Sequence, residues 1–549
     1  MTARSGPDVV VVGGGPVGLT AAALLARCGV TVTLVERGFR PAPHPRATVV
    51  NVRTMEILRT LGLAERVRAA SVPIQSAATI SWRTALVGPE VGRLDLVGSA
   101  RQLMVKAAQS PELPAICAQH RIASIVTQSL TSDPRVNLWF GCTATAVDTD
   151  TDGAVVTVNG PGGTERIRSR YVVLAEGLHG GLRAGVGITE TAKSPLGRLL
   201  DVHFRLAPSA VAGAVGSAIY WLVGQSVQGA LITVDPRLGE WLLEVPAMSA
   251  ADEHRLFGSE LDLPALLRTA LGVAETPQVL SVRDWLMATT EVDRWRDASG
   301  RVFVAGDAAH TFPPTGGFGM NTGIQDVHNL AWKLAAVLSG RAGDDLLDSY
   351  ETERRPVAEF NAAQSEHNAI QTMKFFAECT GPLADPGPAG TAARQRLRPL
   401  VEQQRPHFDY PGQALGFRYR DPGDDGPVVP DVVDYRAELV RGGRVPHHWL
   451  DQSHSTSTVD IDGPGFVLFT DPAQVETWSA AIGSAPVRAQ GLPTARTLLG
   501  TYAAALVRPD GHLVDLLPGH EPAVEVDTAL RSALTSVHTL SRSSGEHTT

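Results

Sequence analysis

The stretch Val9-Val-Val-Val-Gly13-Gly14-Gly15-Pro16-Val17-Gly18 decides the fold of this chain, because a β-branched run leads directly into a glycine-rich turn. The valines predict a buried parallel strand, and the pattern of residues 19–27 predicts a helix immediately after the glycines. Residues 30–36 predict a second strand. The chain therefore opens with a predicted βαβ unit of the Rossmann type.

The glycines of this turn have separate physical roles. They allow a tight turn, close approach of the backbone to a pyrophosphate, and packing of the helix on the strand. Glu36 ends the second strand, where its carboxylate can accept hydrogen bonds from ribose hydroxyls. The motif predicts a dinucleotide site without separating FAD from NAD. Ordinary turn glycines beside a solvated Glu36 remain the alternative.

A second block favours FAD. It reads Arg301-Val-Phe-Val-Ala-Gly306-Asp307-Ala-Ala-His310, and Pro313-Pro314-Thr-Gly316-Gly317-Phe-Gly319-Met320-Asn321 follows it. A predicted strand delivers Asp307 to the carboxyl edge of the sheet, where its carboxylate can bind a ribityl hydroxyl. The loop then exposes backbone N–H groups at the start of a helix predicted over residues 323–338. Such groups can hold the electron-rich edge of a flavin.

Composition excludes several classes of protein. The chain has 549 residues, enough for about two to four domains. Hydrophobic residues make up 43% and charged residues 19%, with a mean hydropathy of zero, which is typical of a globular protein. A net charge of −9 and the absence of a basic stripe argue against a nucleic-acid partner. Glycines interrupt the apolar stretch 9–26, so we expect no membrane span.

The cysteines exclude two further kinds of site. Cys28, Cys117, Cys142 and Cys379 lie far apart, with neither a C-x-x-C motif nor metal-ligand spacing. We therefore expect no disulfide scaffold and no metal, and a reducing cytoplasm is the expected location.

Several blocks together resemble the FAD-dependent aromatic hydroxylases, which are the group A flavin monooxygenases, and especially their polyketide-tailoring branch. The resemblance runs from residue 8 to about residue 363 and resumes near the carboxyl terminus. The blocks are 13–18 with Glu36 and Arg37, Pro45-Arg46-Ala47, Arg53-Thr54-Met55-Glu56, 306–321, 326–333 and Tyr350-Glu351-x-Glu353-Arg354-Arg355-Pro356.

The resemblance implies an FAD that is held without a covalent bond. Arg46 and Gln119 fall where the family contacts the phosphates and ribityl chain, and Met320 and Asn321 where it contacts the isoalloxazine ring. Arg46 and Gln119 could instead be loop and helix-cap residues. The expected FAD-binding residues are Gly13, Gly15, Pro16, Val17, Gly18, Glu36, Arg37, Arg46, Gln119, Asp307, Pro314, Gly317, Gly319, Met320 and Asn321.

One segment departs from the family pattern. The family usually shows Ala-Asp-Gly before an arginine, whereas this chain has Ala175-Glu176-Gly177 and then Arg183. In the family this segment belongs to the region that binds NAD(P)H or the FAD pyrophosphate. Glu176 either makes the same hydrogen bonds after a small backbone shift or alters the contacts to the reductant. With one dinucleotide motif in the chain, NADPH or NADH would visit a surface groove transiently.

The resemblance also implies a three-domain α/β fold. A Rossmann-type FAD-binding domain (1–75, 105–188 and 282–380) carries an inserted β-sheet substrate domain (76–104 and 189–281). Residues 442–450 and 505–512 resemble a thioredoxin-like α/β domain, expected over 400–545. That domain cannot perform dithiol chemistry, because no cysteine follows Cys379.

Substrate and catalytic residues are less determined. The family's middle sheet covers the substrate pocket, which makes Tyr220, Trp221, Trp241 and Trp285 candidate substrate residues, although aromatics in strands are often plain packing. His310 is either a proton relay or a structural histidine. No catalytic base is identified from the sequence.

The implied reaction is hydroxylation of an aromatic, polyketide-type substrate by NAD(P)H and O2 through a C4a-hydroperoxyflavin. Baeyer–Villiger or epoxidising oxygenation by the same flavin is an alternative, as is a flavin-binding carrier protein without turnover. A homodimer is also consistent with the sequence.

Overall fold

The computed structural model describes residues 6–178, 180–192, 195–211, 213–214, 216–421, 423–461 and 463–535. Up to residue 185 its helices and strands alternate closely. They are β1 (Val9–Val12), α1 (Pro16–Arg27), β2 (Val32–Glu36), β3 (Val49–Val50), α2 (Val52–Thr60), α3 (Ala64–Ala70), α4 (Ile74–Ala77), β4 (Thr79–Arg83), β5 (Glu90–Asp95), α5 (Ala100–Gln109), β6 (Ala115–Ile116), α6 (Gln119–Leu130), β7 (Val136–Phe140), β8 (Thr143–Thr149), β9 (Ala154–Gly160), β10 (Gly163–Ser169), β11 (Tyr171–Leu174) and α7 (Leu182–Gly185).

The middle of the chain is mostly strand and then mostly helix. Its elements are β12 (Glu190–Ala192), β13 (Gly197–Arg205), β14 (Ile219–Val223), β15 (Gln228–Asp235), β16 (Glu240–Pro246), α8 (Ala250–Phe257), α9 (Leu263–Leu271), β17 (Gln278–Met287), β18 (Thr290–Val292), β19 (Val302–Val304), β20 (His310–Thr311), α10 (Phe318–Leu338), α11 (Ser349–Glu378), α12 (Pro388–Glu402), α13 (Arg405–Phe408) and α14 (Pro411–Leu415).

The carboxyl-terminal part is again mixed. It contains β21 (Phe466–Thr470), α15 (Val475–Ile482), β22 (Val487–Gly491), α16 (Ala495–Leu499), β23 (Ala504–Val507), β24 (Leu513–Leu517) and α17 (Pro522–Leu534).

A five-stranded parallel sheet in the order β19-β11-β1-β2-β7 forms the centre of the first domain. All four valines of β1 are buried, because β1 lies between β11 and β2 and is covered by helices such as α1. Continuous β-branched runs suit such strands, which are buried on both faces. The Rossmann-type prediction is confirmed.

A seven-stranded sheet in the order β17-β13-β16-β15-β14-β4-β5 forms the inserted domain. β4 and β5 come from the first predicted segment of this domain and the other five strands from the second. β17 pairs with β13 as far as Met287, so this strand extends past the boundary expected at residue 281. The predicted insertion of a β domain into the FAD-binding fold is confirmed.

The carboxyl-terminal sheet has the order β22-β21-β23-β24, with β21 parallel to β22 and antiparallel to β23. This βαβαββα arrangement is thioredoxin-like and occupies residues 466–534. The expected range of 400–545 also includes the segment 400–465, of which Val401 in α12 packs against the inserted sheet. Residues 1–5 and 536–545 of the expected domains lie outside the described residues.

A buried ion pair joins the segment that precedes the thioredoxin-like region to the FAD-binding domain. Arg444 donates hydrogen bonds to both carboxylate oxygens of Glu56, which also accepts one from Arg53 at 2.9 Å. The side chains of Arg444 and Glu56 are 0% and 1% exposed. Burial alone would raise the pKa of Glu56, but Arg444 and Arg53 hold it below its usual value.

Replacing Arg444 tests the energetic weight of this contact. Arg444→Ala leaves the Glu56 carboxylate buried with fewer donors, and breaking a buried pair from one side costs about 3–5 kcal/mol. We expect a correspondingly lower urea midpoint for the FAD-loaded protein. Arg441→Ala is the matched control, since Arg441 is 48% exposed and pairs with Asp421 and Asp515 at the surface. It should cost less than about 1 kcal/mol. Equal shifts for the two variants would contradict the prediction.

Candidate active site

The carboxyl ends of the parallel strands converge on one cavity. β1 ends before Gly13, β2 ends at Glu36, β11 ends before Ala175 and β19 leads to Asp307. Parallel strands share a direction, so their carboxyl ends meet at one edge of the sheet. All four residues line a cavity of about 1360 Å³.

The glycines of the first turn serve different purposes in the structure. Gly13 has a φ of +112°, and an added Cβ would lie 2.2 Å from the Ala175 carbonyl oxygen. An added Cβ at Gly18 would lie 1.9 Å from the Gly13 carbonyl oxygen, so Gly18 allows α1 to pack against the turn. A Cβ at Gly15 would meet no protein atom within 4 Å, and Gly15 lines the cavity. The space beside Gly15 is therefore open to a ligand.

Glu36 closes this turn from the second strand. Its carboxylate accepts hydrogen bonds from the backbone N–H groups of Gly14 at 2.6 Å and Gly38 at 2.7 Å. A carboxylate has about four acceptor positions, so Glu36 can still accept hydrogen bonds from ribose hydroxyls.

Asp307 projects into the cavity from the loop after β19. Its carboxylate accepts no hydrogen bond within the described part of the chain, and the residue is exposed where it lines the cavity. The surrounding protein raises the pKa of Asp307, while the nearby His310 and Arg46 oppose that shift. An acceptor that is open to the cavity in this way suits a ligand that supplies hydroxyl donors.

The amino terminus of α10 faces the same space. Gly317 caps this helix with a φ of +68° and no side chain supplies a capping hydrogen bond. An added Cβ at Gly317 would lie 2.7 Å from Cβ of Val49, which explains the glycine. Gly319 and Met320 follow in the first turn and line the cavity. Their region carries unpaired N–H groups and the positive end of the helix dipole, which favour an electron-rich ligand edge.

Most of the expected FAD-binding residues are brought together. Gly13, Gly15, Pro16, Val17, Glu36, Arg37, Arg46, Gln119, Asp307, Pro314, Gly317, Gly319 and Met320 line the cavity. Gly18 and Asn321 stand behind this lining. The Asn321 side chain donates to the carbonyls of Val49 and Gly317 and accepts from the Asn51 N–H at 2.9 Å. Its side chain therefore holds the loop in place, and any contact to a ligand would come through its backbone.

Glu176 and Arg183 have different surroundings. Glu176 lines the cavity, and its carboxylate accepts hydrogen bonds from the backbone N–H groups of Leu182 and Arg183, each at 3.2 Å. Arg183 is buried, and its guanidinium contacts Glu190 and the carbonyls of Gly177 and Leu178. Its cation is thus engaged within the protein.

The inserted sheet covers the far side of the cavity, and strand alternation decides which aromatic residues reach it. Trp221 and Trp285 line the cavity. Tyr220 and Trp241 point to the other face, where they pack among leucines of α9. Successive residues of a strand face opposite sides, so Tyr220 and Trp221 could not both have been lining residues.

His310 is held by a buried carboxylate. Its Nε2 lies 2.7 Å from Asp326 Oδ2, and Asp326 also accepts a hydrogen bond from Arg354 at 3.0 Å. Phe312 stacks on its ring. His310 lies outside the set of described residues that line the cavity, so this geometry favours a structural histidine.

Sequence reasoning missed several lining residues. Asp201, Glu244 and Arg283 come from strands of the inserted sheet, and Phe376 and Phe408 come from α11 and α13. A charged residue within an apolar strand, such as Asp201 in Leu-Leu-Asp-Val, was the signal available for the first group. The second group depends on packing between distant segments and leaves no local pattern.

Two features of the described residues concern metals and membranes. No group of three or more His, Cys, Asp or Glu side chains is arranged to hold a metal ion within these residues. No helix among them is long and apolar enough to cross a membrane.

Comparison with known proteins agrees with this geometry. A family model described as FAD binding domain matches residues 7–365. Tetracenomycin B2 monooxygenase-dioxygenase of Streptomyces olivaceus is 33% identical over 537 residues, which cover 92% of this chain and 94% of that protein. Chromopyrrolic acid-soaked RebC with bound 7-carboxy-K252c shares the fold with a TM-score of 0.84 and 31% identity over 96% of this chain and 99% of that chain.

A ternary complex of aklavinone-11 hydroxylase with FAD and aklavinone has a TM-score of 0.79 and 29% identity, covering 97% of this chain and 100% of that chain. Three features fit FAD: the open space at Gly15, the Asp307 carboxylate that accepts no hydrogen bond from the described residues, and the amino terminus of α10, which no described side chain caps. The resemblance found in the sequence is confirmed. The chain therefore belongs to the FAD binding domain family and is a flavin-dependent monooxygenase.

Proposed function

We propose that this protein hydroxylates an aromatic, polyketide-like substrate with NAD(P)H and O2 as co-substrates. The observation that carries the proposal is the continuity of the cavity, which extends from the dinucleotide turn to the aromatic-lined face of the inserted sheet. Its volume of about 1360 Å³ exceeds the ~300–1,000 Å³ of a usual small-molecule pocket. There is room for a dinucleotide and a second, polycyclic molecule. The relatives named for tetracenomycin and aklavinone support the same substrate class.

Each part of the cavity has a task in this reaction. Bound FAD supplies the hydride and dioxygen chemistry. The turn around Gly15 would hold the pyrophosphate and Asp307 the ribityl chain, without a covalent bond. The amino terminus of α10 would stabilise negative charge on the ring system.

Apolar side chains would orient the substrate and keep water away from the reacting atoms. Ile80, Ile219, Trp221, Ile232, Phe376 and Phe408 form this part of the lining.

A substrate screen tests the proposal. We expect polycyclic phenols to stimulate NADPH or NADH oxidation by the FAD-loaded protein and to gain one oxygen atom by mass analysis. Ring cleavage or lactone formation would favour Baeyer–Villiger chemistry, and an epoxide product would favour epoxidising oxygenation. No stimulated oxidation with any polycyclic phenol would overturn the proposal and favour a carrier.

Substitution at Gly15 tests the flavin site. Gly15→Val should remove FAD while the protein stays folded, because an added Cβ meets no protein atom within 4 Å and the side chain would extend into the space of the pyrophosphate. Flavin absorbance of the purified protein measures this, and acid should release all flavin from the wild type. Gly162→Val is the matched control, since an added Cβ in this turn between β9 and β10 also meets no protein atom within 4 Å, and it should keep full FAD. Full flavin in Gly15→Val would contradict the assigned site.

The two faces of the inserted sheet provide a second comparison. Trp221→Leu should raise the KM for the aromatic substrate about tenfold, equivalent to about 1.4 kcal/mol, through loss of an aromatic contact. Trp241→Phe should leave KM unchanged and lower the thermal midpoint, because Trp241 packs on the opposite face. Steady-state kinetics and thermal unfolding of both variants check this. A larger KM effect for Trp241→Phe would contradict the assignment of the faces.

A further inference from the structure

A row of five residues crosses the inserted sheet on the cavity side, and the first three of them are charged. Strand register places Arg283 of β17 opposite Asp201 of β13, and Asp201 opposite Glu244 of β16. The row continues through Ala230 of β15 to Trp221 of β14. All five residues line the cavity, which is therefore polar at one end of the row and aromatic at the other.

Asp201 offers an unused acceptor at the polar end. The residue is 5% exposed, and its Oδ2 accepts a hydrogen bond from Trp285 Nε1 at 2.8 Å. Oδ1 has no hydrogen-bond partner among the described residues, although it is buried. An unpaired buried acceptor costs about 1–3 kcal/mol, so the protein retains Asp201 at the expense of stability.

Glu244 faces Asp201 across the two strands. Directly opposite residues of an antiparallel pair have Cβ atoms about 4.5–5.5 Å apart. The Glu244 carboxyl makes no hydrogen bond within the described part of the chain and lines the cavity. Two carboxyl groups on directly opposite residues inside a protein oppose each other's ionisation, so one can stay protonated as a donor while the other is an ionised acceptor.

The surrounding groups keep the pair partly protonated near neutral pH. Burial raises the pKa of Asp201, although the Trp285 hydrogen bond, Arg283 and Arg46 oppose that shift. Burial and then the charge of Asp201 raise the pKa of Glu244. His44 Nε2 lies 4.0 Å from Asp201 Oδ2, but burial and nearby cations lower the pKa of His44 to about 4, so this ring is neutral.

We propose that Asp201 and Glu244 bind the oxygens of the substrate: Asp201 takes the proton of a phenolic hydroxyl, and Glu244 donates a hydrogen bond to a second oxygen. This assignment rests on the proposed hydroxylation of an aromatic ring. The O–H bond of the phenol breaks, the proton moves to Asp201 Oδ1, and the electron pair stays on the phenolic oxygen. The ring becomes more electron-rich at the carbons ortho and para to that oxygen. No oxidant is needed for this step.

Variants of the pair in the FAD-loaded protein test the assignment, with 2-hydroxyanthraquinone as the probe. For the wild type, kcat/KM should rise with pH as Asp201 loses its proton, because the ionised form accepts the phenolic proton. Asp201→Asn should lower kcat/KM about 100-fold or more and lose this rise. The phenolate absorbance of the bound probe should also disappear. Glu244→Leu should raise KM about tenfold, and Glu244→Gln should recover most of that loss, because the amide can still donate.

Two controls separate the pair from general damage. Asp284 lies on β17 and faces away from the cavity, with its side chain 58% exposed. The Asp284→Asn variant should therefore behave as the wild type. Binding of 2-methoxyanthraquinone, which has no phenolic proton, should be the same in the wild type and in Asp201→Asn.

The outcomes that overturn the assignment are distinct from those that overturn the function. A wild-type pH profile and phenolate band in Asp201→Asn would overturn the role of the pair and leave the proposed hydroxylation intact. Equal loss of both probes would show that Asp201 only shapes the pocket, which also overturns it. If the wild type neither binds nor oxidises any polycyclic phenol, the proposed function fails, and this assignment fails with it.

Discussion

The structure depends on the shared direction of the strands in the first sheet. Because β1, β2, β11 and β19 are parallel, their carboxyl ends deliver Gly13, Glu36, Ala175 and Asp307 to one edge. These residues lie far apart in the chain, and no local interaction could assemble them. The tight contacts of Gly13 and Gly18 then set the path of the backbone at that edge. The parallel topology of the sheet therefore assembles the cofactor site from distant parts of the chain.

Buried charges hold the helix that completes this edge. Asp326 of α10 binds Arg354 of α11, and Lys333 of α10 lies 2.8 Å from Glu353 of the same neighbour. Arg508 of the thioredoxin-like region also contacts Glu353, at 2.7 Å. Removing one partner from such a network leaves an uncompensated charge, so the network strongly resists local rearrangement. The sequence blocks at 326–333 and 350–356 therefore position the amino terminus of α10 without touching the cavity.

The sequence predicted what local motifs encode and missed what packing decides. The residue spacing within the turn at Gly13–Gly18 and within the strand leading to Asp307 is enough to predict their local geometry. The structure has both as predicted. Tyr220 and Trp241 were expected to face the substrate pocket, but they point away from the cavity. Aromatic character is visible in a sequence, whereas the face on which a strand residue lies depends on strand register. The helix predicted from residue 323 begins at Phe318, so Asn321 lies within α10, where its side-chain amide bonds to the backbone of Val49 and Asn51. Phe376 and Phe408 reach the cavity through helix packing between distant segments.

Alternation within the second sheet gives its two faces different tasks. Leu200 and Val202 point away from the cavity and build a core against α9, while Asp201 between them points inward. The sheet can therefore be stabilised from its outer face, which leaves its inner face free to carry groups that destabilise the fold. Asp201 and Glu244 are such groups, since each is a carboxyl removed from water with too few donors. Burial lowers the pKa of Arg46, while the charges of Asp307 and Asp201 both oppose that shift, so one cation compensates a carboxyl group from each of the two sheet domains.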